Sequence, residues 1–313
     1  MDIVLLFPGQ GSQKPGMGKD LAEAFPAARA VFEEADRVLG VPLSTLCFEG
    51  PDAELTSTQN AQPALLAHGA AAWAVLRDRA RAHVRAAAGH SLGEFTAYHA
   101  ADALSLADAL RVVRRRGELM YQSGVERPGA MAAVMGLAAA DVEAVCAAAR
   151  EEGAGLVVPA NYNTAEQLVI SGETAAVERA MALAKERGAK RAIRLNVSGA
   201  FHTPLMDVAT SGLRAALDAA ALADPAFPVY SNVTTGPVCA SAEARERLVQ
   251  QLTSPVRWTE LMAKLAAAYP GALFVELGPG TVLANLAKRI APNIQTAPGG
   301  TVADIEQLLQ RIA

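Results

Sequence analysis

A short apolar run, Val84 to Ala88, leads without interruption into Gly89-His90-Ser91-Leu92-Gly93, and a helical pattern starts at Glu94. Small residues on both sides of Ser91 let the chain turn sharply enough to push a hydroxyl out beyond the end of a strand. The N–H groups of the helix that follows can stabilise an oxyanion there. A strand, a sharp turn and a helix are therefore expected. From local context alone, the same letters also suit a plain turn or a helix cap.

The rest of the chain repeats that alternation. Ile3 to Phe7 is a continuous apolar run closed by Pro8-Gly9, which suits a strand buried on both faces. Residues 20–39 carry apolar positions at helical spacing up to Gly40, and 63–76 reads as a second helix. The middle reads as strand (131–135), helix (139–152), strands (156–160 and 167–171), helix (174–187) and strand (191–197). That βαββαβ order is the ferredoxin-like one. Afterward the α/β pattern resumes with strands at 228–231 and 272–277 around a helix at 242–252. The expectation is an α/β fold with a parallel-sheet core built from 1–128 and 198–313, and a ferredoxin-like insert over 129–197.

Composition removes several functional classes. Lys and Arg number 28 against 32 Asp and Glu, a net charge of −4, so nucleic acid has no global electrostatic attraction to the chain. With 51% hydrophobic and 19% charged residues, the chain can bury a large core. Cys47, Cys146 and Cys239 lack metal-site or disulfide spacing, so a reducing cytoplasm and no metal are expected. An acid at position 2 speaks against an export signal. The apolar stretch 61–76 is interrupted by Gln62, Pro63 and His68, too short and too broken for a membrane span.

A serine nucleophile needs a base, and the five histidines are His68, His83, His90, His99 and His202. His68 and His99 fall in helical stretches, His83 precedes a strand, and His90 belongs to the turn itself. Elimination leaves His202, in the loop after the 191–197 strand, although a loop histidine taken alone is more often a packing or surface residue. The glycines of Phe7-Pro8-Gly9-Gln10-Gly11-Ser12-Gln13 do not fit a phosphate loop, because Lys14 and Met17-Gly18 stand where its fixed residues belong. They suit either a flexible turn or a backbone held close to a reacting carbonyl. Arg111, Arg114, Arg115 and Arg116 form a basic cluster, mostly a solvated face, from which one guanidinium turned inward would suit a carboxylate. Lys185, Arg187, Lys190, Arg191 and Arg194 form a second, read first as a charged surface and second as a dock for an acidic protein.

Taken together, the strings Phe7 to Gln13, Gly89 to Glu94, Arg116-Gly117, Gly199-Ala200-Phe201-His202, Gln251 with Pro255-Val256 and Trp258, and Gly278-Pro279-Gly280 resemble one family, the malonyl-CoA:acyl carrier protein transacylases of bacterial fatty acid synthesis. The resemblance runs from Met1 to about Ile290 in order and at the family's spacing. It implies a hydrolase-like core with a ferredoxin-like insert, and a ping-pong transfer of malonyl from malonyl-CoA, through an ester on Ser91, to the phosphopantetheine thiol of acyl carrier protein. By the same resemblance His202 is the base, and the backbone carbonyl of Gln251 orients it in place of a triad carboxylate. Gln10 and Leu92 supply oxyanion N–H groups. Arg116 clamps the malonyl carboxylate, and Phe201 is the bulky residue of malonyl-type enzymes. The resemblance implies a monomer, with no cofactor beyond the two thiol-bearing substrates. A serine esterase or thioesterase built on the same turn, a related transacylase serving another carrier, and an inactive scaffold are the alternatives.

Overall fold

The computed structural model describes residues 1–197 and 199–312. Ser198 and Ala313, the first and last residues of the expected 198–313 segment, lie outside the described residues. Among the described residues, ten strands form two sheets: β1 (Ile3–Phe7), β2 (Val84–Gly89), β3 (Gly129–Met135), β4 (Val157–Thr164), β5 (Gln167–Glu173), β6 (Arg191–Arg194), β7 (Val229–Tyr230), β8 (Pro237–Val238), β9 (Leu273–Glu276) and β10 (Gln295–Pro298).

The larger sheet has the order β10-β9-β1-β2-β7-β8. Its first five strands are parallel, and β8 pairs antiparallel with β7. All five residues of β1 are buried, with Ile3, Leu5 and Phe7 joining one apolar cluster and Val4 and Leu6 another. Alternate side chains thus fill opposite faces, which is why the run carries no polar residue. Each such side chain contributes roughly 1.5–3 kcal/mol of burial. The strand order reverses at β1, and Phe7 stands level with Gly89 on β2, so the loops leaving both strands open side by side at the carboxyl edge. Open parallel sheets bind ligands at such a reversal.

The smaller sheet is antiparallel in the order β4-β5-β3-β6, with the helices Ala139–Glu151 and Thr174–Glu186 packed on it around a separate apolar cluster. It is tied to the larger unit where Tyr162 N donates to Val256 O and Val256 N to Ala160 O. This seam sets β4 beside the carboxyl edge of the larger sheet.

Several elements differ from the sequence expectation: the helix expected over 63–76 spans Thr58–Ala80, and the strand expected over 156–160 spans Val157–Thr164. The single helix over 20–39 is two helices, Lys19–Ala24 and Pro26–Leu39, because Pro26 starts the second one and drives Phe25 to φ −122°, ψ 117°. The strand expected over 191–197 ends at Arg194, and Leu195 and Val197 line a cavity instead. None of the described helices is long and apolar enough to cross a membrane.

Candidate active site

Ser91 sits at a sharp elbow between β2 and the helix Leu92–Ala100, the elbow helix, with φ 51° and ψ −107°, a backbone state that costs a non-glycine residue about 1–3 kcal/mol. Asn232 braces it from both sides. Its Oδ1 accepts from Ser91 N at 2.7 Å and its Nδ2 donates to Gly89 O at 2.7 Å. At about 1 kcal/mol each, these bonds offset much of the strain. The flanking glycines leave no room for a side chain: a Cβ on Gly89 would overlap the Gly93 carbonyl carbon, and one on Gly93 would overlap Phe7 O. Gly89→Ala is therefore expected to destabilise the fold by about 3 kcal/mol, read from denaturant midpoints. An unchanged midpoint would mean that the turn is not constrained as described.

The hydroxyl meets two groups. His202 Nε2 lies 2.8 Å from Ser91 Oγ, while His202 Nδ1 lies 2.9 Å from Gln251 O and 3.2 Å from Ser254 O. Two carbonyls facing Nδ1 require the proton to be there, so Nε2 is the bare acceptor for the serine O–H. Burial, and then the Arg116 charge, push the His202 pKa down to about 3, so the ring is neutral at rest.

Arg116, on the helix Leu106–Glu126, is 1% exposed. Its Nη1 donates to Gln62 Oε1 at 2.7 Å, and its Nη2 to Gln251 Oε1 at 2.9 Å and Ser91 Oγ at 3.1 Å. Its Nε is buried with no partner among the described residues. The guanidinium also stands over the Phe95 ring, 5.3 Å from its centroid. Burial lowers its pKa to about 10, which still leaves it charged. Of the other arginines of the cluster, Arg111 and Arg115 are exposed and pair with Asp108 and Glu118, while the half-buried Arg114 pairs with Glu118 and donates to Gln59 O and Asn60 Oδ1.

These residues open on a cavity of about 470 Å³ between the two sheets. Gln10 and Leu92 line it from the loop after β1 and the first turn of the elbow helix, where N–H groups lack intrahelical partners. Gly9 allows that approach, since a Cβ there would overlap His90 O. Phe201, 5% exposed, also lines it, as do Met120, Met131 and Val169. His90 lines the cavity too, and its Nε2 lies 2.9 Å from Asn163 Oδ1 on β4. Among the described residues, no group of three or more His, Cys, Asp or Glu side chains could hold a metal.

The structure thus brings Ser91, His202, Arg116, Gln251, Gln10, Leu92 and Phe201 to one place. Sequence reasoning missed three supporting residues. Gln62 interrupts the apolar 61–76 stretch, Asn232 follows a strand that ends at the same sheet edge, and Glu94 is the first acid after the turn. A polar residue inside an apolar helical run was the one available signal for Gln62.

Comparison with known proteins agrees with this arrangement. The model of the acyl transferase domain family matches residues 4–305. A malonyl CoA-acyl carrier protein transacylase of Bacillus subtilis is 46% identical over 312 residues, covering 99% of this chain and 97% of the relative. The crystal structure of an acyl-carrier-protein-S-malonyltransferase from Bartonella henselae superposes with a TM-score of 0.94 at 43% identity, covering 100% of this chain and 99% of that one. A malonyl-transacylase solved in complex with its type II PKS acyl-carrier protein also gives 0.94, at 38% identity over 99% of this chain and 100% of its own. With a match of this extent on sequence and on fold, the chain belongs to the acyl transferase domain family, among the malonyl CoA-acyl carrier protein transacylases.

Proposed function

We propose that this protein transfers malonyl from malonyl-CoA to the phosphopantetheine thiol of acyl carrier protein, by a ping-pong mechanism through a malonyl ester on Ser91, in fatty acid synthesis. Arg116 carries the reading. Arg116 is fully buried, touches only neutral groups, keeps Nε without a partner among the described residues and sets Nη2 3.1 Å from the nucleophile, so it can take an anionic substrate directly although the Glu94 carboxylate lies one side-chain amide away. Malonyl has a carboxylate to offer and acetyl has none.

In the first half-reaction Ser91 Oγ attacks the thioester carbonyl as its proton moves to His202 Nε2. The oxyanion is met by the N–H groups of Gln10 and Leu92, each worth about 3 kcal/mol at such a position. The C–S bond breaks, and His202 returns the proton to the leaving coenzyme A sulfur. The carrier thiol then repeats these steps in reverse order of leaving groups. Gln251 O holds the ring throughout, which replaces a triad carboxylate with a neutral carbonyl. Burial is the larger cause of the low His202 basicity and the Arg116 charge the second, so pairing of the malonyl carboxylate with Arg116 offsets that second cause and makes the base stronger.

Phe201 is a bulky wall of the cavity, next in the chain to His202, and its ring would crowd an α-methyl group on the substrate. Methylmalonyl transfer is expected to be poor, and Phe201→Ala to raise it roughly tenfold or more relative to malonyl. Competition assays with both donors check this; an unchanged ratio would remove Phe201 from the specificity wall.

No cofactor enters this scheme, and a monomer suffices for it, since every proposed group comes from one chain. We read the larger unit, 1–128 with 198–313, as a hydrolase-like core and 129–197 as a ferredoxin-like insert, a reading supported by the βαββαβ element order and the β4-β5-β3-β6 sheet. A cytoplasmic location is part of the same reading, from the wide spacing of Cys47, Cys146 and Cys239 in the sequence. The test is transfer from malonyl-CoA to pantetheinylated acyl carrier protein, followed together with free malonate. Transfer outpacing hydrolysis supports the reading; release mainly as malonate makes the protein a thioesterase.

A further inference from the structure

We propose that Glu94 is a positioning residue for malonyl capture: it is the counter-charge of Arg116 while the site is empty, and it takes up a proton when the substrate carboxylate arrives. This rests on the reading that the malonyl carboxylate pairs with Arg116.

Glu94 is fully buried in the first turn of the elbow helix. Its Oε2 accepts from Gln251 Nε2 at 2.7 Å and from Asn232 N at 3.1 Å, and its Oε1 is buried with no partner among the described residues. At the far end of the same amide, Gln251 Oε1 accepts from Arg116 Nη2 at 2.9 Å. One side-chain amide therefore links the carboxylate to the guanidinium. An ionised carboxylate only accepts, so it fixes the amide with its nitrogen toward Glu94 and its oxygen toward Arg116. The backbone carbonyl of that residue holds His202, so Glu94 bears on both the clamp and the base.

Counting charge shows what the substrate does. The empty site holds one buried cation and one buried anion; a malonyl carboxylate adds a second anion in a low dielectric. A proton on Oε1 restores neutrality without breaking either bond to Oε2. Burial already raises the Glu94 pKa to about 7, against the pull of its two hydrogen bonds and of Arg116. The facing groups do not compete for that role. Arg116 comes from the Leu106–Glu126 helix and stays charged, and His202, from the loop before Pro204, is held neutral. Tyr98, on the same helix as Glu94, is pushed well above its ordinary range by burial and then by Glu94, Glu243 and Cys239, with Arg247 opposing. Gln251 and Asn232 carry no charge.

Acylation itself is proton-neutral: the Ser91 hydroxyl proton leaves on the coenzyme A sulfur, the C–S bond breaks and the C–O bond forms. Proton uptake from solvent during adduct formation therefore reports the site. Wild-type protein mixed with malonyl-CoA in weak buffer with a pH indicator should take up roughly half a proton or more per adduct at pH 7.5, falling toward zero near pH 6 where Glu94 is already protonated. Intact mass of the same mixture counts adducts. Acetyl-CoA adducts should bring no uptake. Glu94→Gln keeps an acceptor for Asn232 and Gln251, so it should form the malonyl adduct without proton uptake. Its KM for malonyl-CoA should stay flat between pH 7 and 9, where the wild-type value rises because ionised Glu94 competes for Arg116.

Adduct formation without uptake in the wild type, or uptake undiminished in E94Q, overturns the proposal and leaves the transacylase reading standing. No malonyl adduct in the wild type overturns both. If E94Q does not fold, the wild-type uptake and its pH dependence decide alone.

Discussion

Replacing Ser91 by alanine should abolish the malonyl adduct and lower transfer by roughly 10⁴-fold or more, because among the described residues Ser91 is the one that offers a hydroxyl to His202 Nε2, at 2.8 Å. The fold should survive. Asn232 braces the turn through Ser91 N and Gly89 O, neither of which is a side-chain atom of Ser91. Residual activity would come from substrate binding and the oxyanion N–H groups. A variant that folds and still transfers malonyl within tenfold of the wild type would remove Ser91 as the nucleophile.

The second large effect is on selectivity. Arg116→Ala should lower kcat/KM for malonyl-CoA by roughly 10²–10³-fold, the cost of a buried carboxylate left without its charged partner, about 3–4 kcal/mol. Acetyl-CoA loses no such contact, so the preference for malonyl should collapse toward parity. Arg116→Lys restores the charge but not the fork that reaches Gln62 and Gln251 together, and should recover only part of it. Steady-state rates with both donors decide; an unchanged malonyl-to-acetyl ratio in R116A means that the guanidinium does not read the carboxylate.

Much of this arrangement was legible because local chemistry and position agree. The elbow announces itself by glycines that backbone crowding demands, and His202 is one of five histidines, of which the others have evident places in helices, a strand entrance or the turn. The buried strand at 3–7 was legible for a similar reason: five apolar residues in a row have no solvent face to offer. What stayed hidden depends on contacts distant in sequence. Gln251 reaches Glu94 across 157 positions, and Arg116 reaches Gln62 across 54, which no local pattern encodes. Glu94 looks like an ordinary acid in a helix's first turn, where the helix dipole favours one. Only the packing around it shows that its second oxygen has no partner among the described residues. The break at Phe25-Pro26 was hidden differently, since the apolar spacing continues across it while the proline ends the hydrogen-bond ladder.

The most direct test of the central claim is the intact mass of the protein after brief mixing with malonyl-CoA, followed by addition of pantetheinylated acyl carrier protein. A single malonyl adduct is expected, absent in S91A and moving to the carrier faster than it is lost to water. An adduct in S91A, or one in the wild type that decays to malonate while the carrier stays unmodified, would contradict the claim.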